Sequence, residues 1–196
     1  MQNQPIGKWN TQSARVVDLD ELSLFPGRYP GLEAVQGNFG EIDTGMSAMF
    51  SDARSFNQPL TGWDVARTSI NHMFRHAEAF NNDVSTWDVS RITEMRSVFS
   101  ASSFNGNISE WNTESLTDMS RILYGISFDG DLSKWSVGRV TSLQGFCPGT
   151  TFNSPIGDWD VSKVGDFNGA FRNCKAFNQD LYVTANLLLI PNMKYA

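Results

Sequence analysis

Five tryptophans, Trp63, Trp87, Trp111, Trp135 and Trp159, stand 24 residues apart without a slip. For so rare and large a residue, this spacing marks an internal repeat. A period of roughly 20–50 residues restricts a chain to stacked, near-identical turns rather than a globule built around one unique pocket. Other positions recur in phase. Three residues before the Trp stands an aliphatic residue, in Ile6, Leu60, Val84, Ile108, Leu132 and Ile156; two residues after it comes Val65, Val89, Val137 or Val161, with Thr113 the exception. Trp and Val then alternate toward one side, as in a short strand.

Beyond the Val the apolar period changes. Ile92, Met95, Val98 and Phe99 recur at three and four residues, as do Leu116, Met119, Ile122 and Leu123, and then Val164, Phe167, Ala170 and Phe171. That is the mark of one helix face, and it predicts a helix too short to stand without packing, with Ser90 and Ser162 placed as N-caps. The aliphatic-x-x-Trp-x-Val segment also has the spacing of the leucine-rich-repeat strand. The expected fold is therefore an α/β repeat solenoid, leucine-rich-repeat-like. Short parallel strands would form one wall and short helices the other, with about 24–25 residues per coil and about six to eight coils.

A phenylalanine precedes each Trp by seven residues, at Phe56, Phe80, Phe104, Phe128 and Phe152, each followed by Asn or Asp, and Phe177-Asn178 repeats the pair. The rings are expected to stack inside, and the amides to satisfy turn backbone and form a ladder between coils. Along the chain, residues 1–37 read as an irregular N-terminal coil or cap with an insertion, 38–182 as the repeats, and 183–196 as a C-terminal cap or truncated repeat. Pro5-Ile6-Gly7-Lys8-Trp9 echoes Pro155-Ile156-Gly157-Asp158-Trp159, and Leu187-Leu188-Leu189-Ile190 could close the open apolar end or join a second copy there.

A formal charge of −6 with 15 Lys and Arg spread along the chain argues against a nucleic-acid partner, because counterion release needs clustered cations. No apolar run approaches the roughly 20 residues of a transmembrane helix, and Met1–Pro5 shows no secretory signal. Cys147 and Cys174 lie in successive repeats, where they either bridge across a turn or stay as buried thiols, the second being the preferred reading. His72 and His76 are four apart, a spacing that suits a metal, but no third ligand accompanies them, so no metal or other cofactor is expected.

Outward positions of the repeat form polar rows. The candidate ligand-binding residues are Asp64, Thr86, Asp88, Ser90, Glu110, Asn112, Glu114, Asp158 and Asp160, a grid suited to a protein, a glycan or a cation such as calcium. Set against it is a merely solvated face flanked by Arg67, Arg91, Arg139 and Lys163. No catalytic residues are assigned, since repetition gives extended surfaces whereas catalysis needs unlike groups converging on one point.

The runs Trp87-Asp88-Val89-Ser90-Arg91-Ile92-Thr93-Glu94-Met95 and Phe80-Asn81-Asn82-Asp83-Val84-Ser85-Thr86-Trp87 closely resemble the BspA-like bacterial surface protein repeat, over approximately residues 40–182. Thr113 and Glu114 depart from its Val-Ser, and Ser136 and Gly138 from its Asp and Ser. The resemblance implies a leucine-rich-repeat-like array used for surface display and adhesion. The expected function is a non-enzymatic, extracellular or cell-surface interaction module presenting a polar strand face to a protein or glycan. The alternatives are a structural subunit docking into a larger assembly and, less favoured, a hydrolase using Asp18, Asp20 or Glu21 in the 18–37 insertion.

Overall fold

The turn-forming residues of the repeat decide its backbone. In the computed structural model, residues 45–149 and 151–179 are described, and within them each 24-residue repeat makes one coil out of successive β-turns. Trp87 N–H donates to Val84 O (3.1 Å) and Ile92 N–H to Val89 O (3.0 Å), and the equivalent bonds recur at Trp111 to Ile108 (3.2 Å) and Leu116 to Thr113 (3.0 Å). Asp and Asn fix the corners between them, because a short side-chain oxygen can accept the N–H two residues on and imitate a backbone turn. Ser85 N–H reaches Asp83 Oδ1 (2.8 Å), Ser109 N–H reaches Asn107 Oδ1 (3.0 Å) and Ser133 N–H reaches Asp131 Oδ1 (2.8 Å).

The expected α/β solenoid is not what forms. Among the described residues there is no helix and no extended strand; parallel pairing is confined to isolated bridges joining Glu94 to Asp118, Asp118 to Ser142, and Ser142 to Asp166. These bridges lie where a helix is expected, and the Trp segments expected as strands are turns. The reason lies in two residues per coil with left-handed backbone. Ala48, His72, Ser97, Arg121, Gly145 and Gly169 have φ of 54–65° or thereabouts at one position, and Asp52, His76, Ala101, Gly125, Gly149 and Asn173 are likewise positive four residues later. A left-handed residue every fourth position cannot continue an α-helix.

Instead, alternate N–H groups leave the coil. Ser97, Phe99 and Ala101 donate to Ser120, Ile122 and Tyr124 carbonyls of the next coil at 2.9, 3.1 and 2.8 Å, while Ser100 and Ser102 close turns onto Ser97 and Phe99. Turns of this kind bring residues i and i+3 or i+4 to the same side, so the apolar spacing of a helix is met without one. Ser90 and Ser162 cap no helix; their N–H groups close onto Asp88 and Asp160.

Three columns bind coil to coil. The phenyl rings of Phe56, Phe80, Phe104, Phe128 and Phe152 lie 6.0, 6.1, 6.4 and 6.4 Å apart, near parallel. A second stack, Phe50, Phe74 and Phe99 at 5.6 and 5.9 Å, packs face to face on the first, and it is interrupted at Leu123. The indoles of Trp87, Trp111, Trp135 and Trp159 each donate Nε1–H to the carbonyl of Leu60, Val84, Ile108 and Leu132, at 3.3, 3.1, 2.9 and 3.1 Å. The aliphatic residue three before each Trp therefore contributes a buried side chain and, through its carbonyl, receives the indole of the following coil. Outside, Asn57 Oδ1 accepts from Asn81 N–H, Asn81 Oδ1 from Asn105 N–H, and Asn105 Oδ1 from Asp129 N–H, at 2.9, 2.9 and 3.1 Å.

Departures from the repeat are accommodated locally. Thr113, in a valine position and 2% exposed, accepts Ser136 N–H (2.8 Å) on its hydroxyl and donates that hydroxyl to Ser136 O (3.1 Å). Cys147 and Cys174 are buried with sulfurs 3.7 Å apart, beyond the ~2.05 Å of an S–S bond, and the Cys174 thiol points at Cys147 O. The readings made of residues 1–37, of the 18–37 carboxylates and of the Leu187–Ile190 segment lie outside the described residues.

Candidate interaction surface

Each coil exposes the same few corners, so functional side chains are best sought as columns. The first column follows the Trp: Asp64, Asp88, Asn112, Ser136 and Asp160, all exposed. Most of its members are committed to the backbone. Ala66, Ser90, Glu114 and Ser162 N–H groups donate to Asp64, Asp88, Asn112 and Asp160 Oδ1 at 3.1, 3.0, 3.1 and 3.1 Å. The Ser90 hydroxyl and N–H hold the Asp88 carboxyl below the usual carboxylate range, and Ser162 does the same for Asp160. At Ser136 the corner is made differently, since its N–H is taken by Thr113, and Gly138 lies against the Asp160 carboxylate of the next coil.

Glu110 is exposed and paired with Lys134 of the next coil, whose ammonium hydrogen-bonds the carboxylate and lowers its pKa. Thr86, Glu114 and Asp158 are exposed at neighbouring corners, and Ser90 is half-buried, its carbonyl accepting the Ser115 hydroxyl (2.6 Å). The nine candidate residues thus spread along the stack without converging on one point.

A second column was visible in the sequence only as flanking charge. Arg67, Arg91, Ser115, Arg139 and Lys163 all occupy the third position of the same turn, closed by Thr68 to Val65, Ile92 to Val89, Leu116 to Thr113, Val140 to Val137 and Val164 to Val161 at 2.8–3.3 Å. All four cations are exposed. Between the Arg67 and Arg91 turns runs an open groove of about 370 Å³, lined by Arg67, Ser69, Asn71, Arg91, Thr93 and Glu94 among others.

The left-handed wall carries a third group, which the sequence reading missed. Asp118 would be raised by burial, but the Ser120 hydroxyl and N–H and then Arg96 outweigh this and hold it low; Arg96 Nε donates to Asp118 Oδ2 at 2.7 Å and its Nη2 lies 3.3 Å from Glu94. The signal was available, since Glu94, Asp118, Ser142 and Asp166 are 24 residues apart. His72 belongs to this wall. Burial, followed by the positive charges of Arg75, Arg96 and Arg121, lowers its pKa, and its Nδ1 is buried with no hydrogen-bond partner among the described residues. His76 faces Asp52 at 3.8 Å instead of sharing a site with His72. Among the described residues no three His, Cys, Asp or Glu side chains gather as a metal site, and no helix is long and apolar enough to cross a membrane.

Stacked 24-residue coils with exposed side chains in columns define a repeat protein. The chain belongs to the family described as Mycoplasma protein of unknown function, DUF285, which matches residues 42–127 and 100–195. No curated protein and no solved structure matches it.

Proposed function

We propose that the protein is a non-enzymatic interaction module of the BspA-like type, displayed outside the cell or on its surface, where exposed columns engage a protein or glycan. The observation that carries this reading is the placement of exposed polar residues at equivalent corners of successive coils, which multiplies weak equivalent contacts along a line. Family membership supports the repeat architecture and leaves the ligand to chemistry. Because Asp64, Asp88, Asn112 and Asp160 hold turns together, the residues available to a ligand on that face are Thr86, Glu114 and Asp158.

The test is binding of the full chain to a panel of glycans and extracellular-matrix proteins. Thr86→Ala, Glu114→Gln and Asp158→Asn, combined in one protein, leave the turn bonds in place and should weaken binding to the ligand found. Retention of full affinity by this triple variant would remove these residues from the ligand face, and silence of the parent against the whole panel would sink the adhesion reading.

A further inference from the structure

Some exposed charges on this protein are paired between adjacent coils. Arg54 faces Glu78 (3.5 Å), Lys134 faces Glu110, Arg96 faces Asp118 (2.7 Å), and His76 faces Asp52 (3.8 Å). Arg67, Arg91, Arg139 and Lys163 are not paired in this way, and they recur at one place in the coil. They stand in register at one turn position, exposed, with like charge above like charge, and none of them forms an ion pair among the described residues. Asp88 and Asp160 are ionised and feel Arg91 and Lys163 from a distance, but no carboxylate oxygen comes within ion-pair reach of the four cations among the described residues, and Glu94 is engaged by Asn71 Nδ2 (3.2 Å) and Arg96.

Equivalent positions on adjacent coils are about 5 Å apart. Two neighbouring cations at that distance repel in the unbound protein, and a ligand with fixed anionic groups along a line removes the repulsion and gains attraction at each rung. The column falls into two pairs, Arg67 with Arg91 and Arg139 with Lys163, because Ser115 stands between them and spends its hydroxyl on Ser90 O. Beside the first pair, the groove offers the exposed Thr93 to a hydroxyl-rich chain, while the Asn71 amide there is held by Glu94 and Arg96.

We propose that this column is the binding track for an acidic polysaccharide, sulfated or carboxylated, lying along the stack with its anionic groups on the Arg67/Arg91 and Arg139/Lys163 pairs. Two paired steps are too sparse for duplex nucleic acid, whose binding is driven by many phosphate contacts. The inference rests on the reading of the chain as an interaction module and names the ligand class of its basic track.

The experiment is titration of the full chain, at several salt concentrations, with heparin as the sulfated probe, polygalacturonate as the carboxylate probe, and neutral dextran and duplex DNA as controls. Binding to one or both acidic polysaccharides and not to dextran is expected. Counterion release makes the logarithm of affinity fall with the logarithm of salt, so removing contacts both weakens binding and flattens that line. Arg67→Gln with Arg91→Gln, and separately Arg139→Gln with Lys163→Gln, should each lower affinity by about tenfold and reduce the slope. All four together should abolish binding, while Arg91→Lys with Arg139→Lys retains most of it. Unchanged melting confirms that each variant is folded, and Arg54→Gln, on a paired column, serves as the charge control.

The proposal is overturned if the fourfold variant binds as the parent does, if Arg54→Gln weakens binding equally, if DNA binds as tightly as the polysaccharides, or if neither polysaccharide binds. Binding of a neutral glycan or protein lost in the Thr86, Glu114 and Asp158 variant, with no response to polyanions, defeats the polysaccharide track alone and leaves the interaction-module reading standing.

Discussion

Replacing Trp111 by alanine probes the whole packing scheme. The indole is 3% exposed, stacks on Trp135 at 6.2 Å, lies 6.1 Å from Phe99, and donates to Val84 O at 3.1 Å. Truncating a buried aromatic side chain in a core that relaxes only partly costs about 3–5 kcal/mol. The upper half of that range is expected here, because rings above and to the side are fixed by their own stacks and cannot collapse into the gap. The carbonyl of Val84 is not orphaned, since it still accepts Trp87 N–H (3.1 Å), so the lost indole bond adds only about 1 kcal/mol. For a chain of this length each kcal/mol lowers Tm by about 2–4 °C, so a loss of about 5–6 kcal/mol gives a fall of about 10–24 °C, followed by circular dichroism or calorimetry.

A paired comparison separates the hydrogen bond from the packing. Trp63, the first of the column among the described residues, is 5% exposed, and its Nε1 meets no acceptor among them. Phenylalanine there removes an unsatisfied buried donor, whereas Trp111→Phe removes a bonded one. Trp111→Phe should therefore be more destabilising than Trp63→Phe by about 1–3 kcal/mol. Because coils interact with their neighbours, Trp87→Ala and Trp135→Ala should add, while Trp111→Ala and Trp135→Ala, whose rings touch, should not. A Trp111→Ala protein melting with the parent would refute the interior role of the indoles. Equal effects of the two phenylalanine substitutions would refute the indole-to-carbonyl bond as a stabilising link.

The remaining predictions concern the left-handed wall. His72 has a folded pKa below the 6.5 of the unfolded chain, so its stabilising contribution is present above about pH 6.5 and is lost as pH falls from there through the folded value. Stability measured by denaturant should therefore decline as pH falls below about 6.5, and His72→Asn, which tolerates the φ of 60°, should flatten that decline. A slope unaltered in the variant would assign it elsewhere. The further loss below about pH 4, from the depressed Asp83, Asp88, Asp118, Asp131 and Asp160, should persist in it. In the second left-handed column, Gly149→Ala adds a methyl that meets nothing within 4 Å, so backbone strain alone should lower stability by about 1 kcal/mol. Ala101→Gly, at the equivalent position one coil further back than Gly125, should raise stability by a few tenths of a kcal/mol; the opposite signs would show that φ does not limit this wall.

What the sequence could and could not convey follows from which residues carry unambiguous physics. Tryptophan and phenylalanine at one period admit a single outcome, burial in columns, and Phe-Asn gives the ladder because the amide beside a fixed ring lies within reach of the next coil's N–H. The backbone between them was misread because Ile92, Met95, Val98 and Phe99 satisfy both a helix and a run of turns, and the residues that break the helix, Ser97 and Ala101, are not glycines. Glycine marks these left-handed positions only from Gly125 onward, at Gly145, Gly149 and Gly169 as well, whereas His72, His76, Ser97 and Ala101 occupy them in earlier coils. The polar rows carry a second role that sequence alone does not separate from binding. An Asp two residues before a Ser is a turn former before it is a ligand contact, as Asp88 and Asp160 show. In a repeat each corner first satisfies its own backbone, and a polar side chain becomes available to a partner only where that local demand is absent. By that criterion the turn-tip cations Arg67, Arg91, Arg139 and Lys163, whose turns close through backbone groups alone, are better placed for recognition than the acidic row beside them.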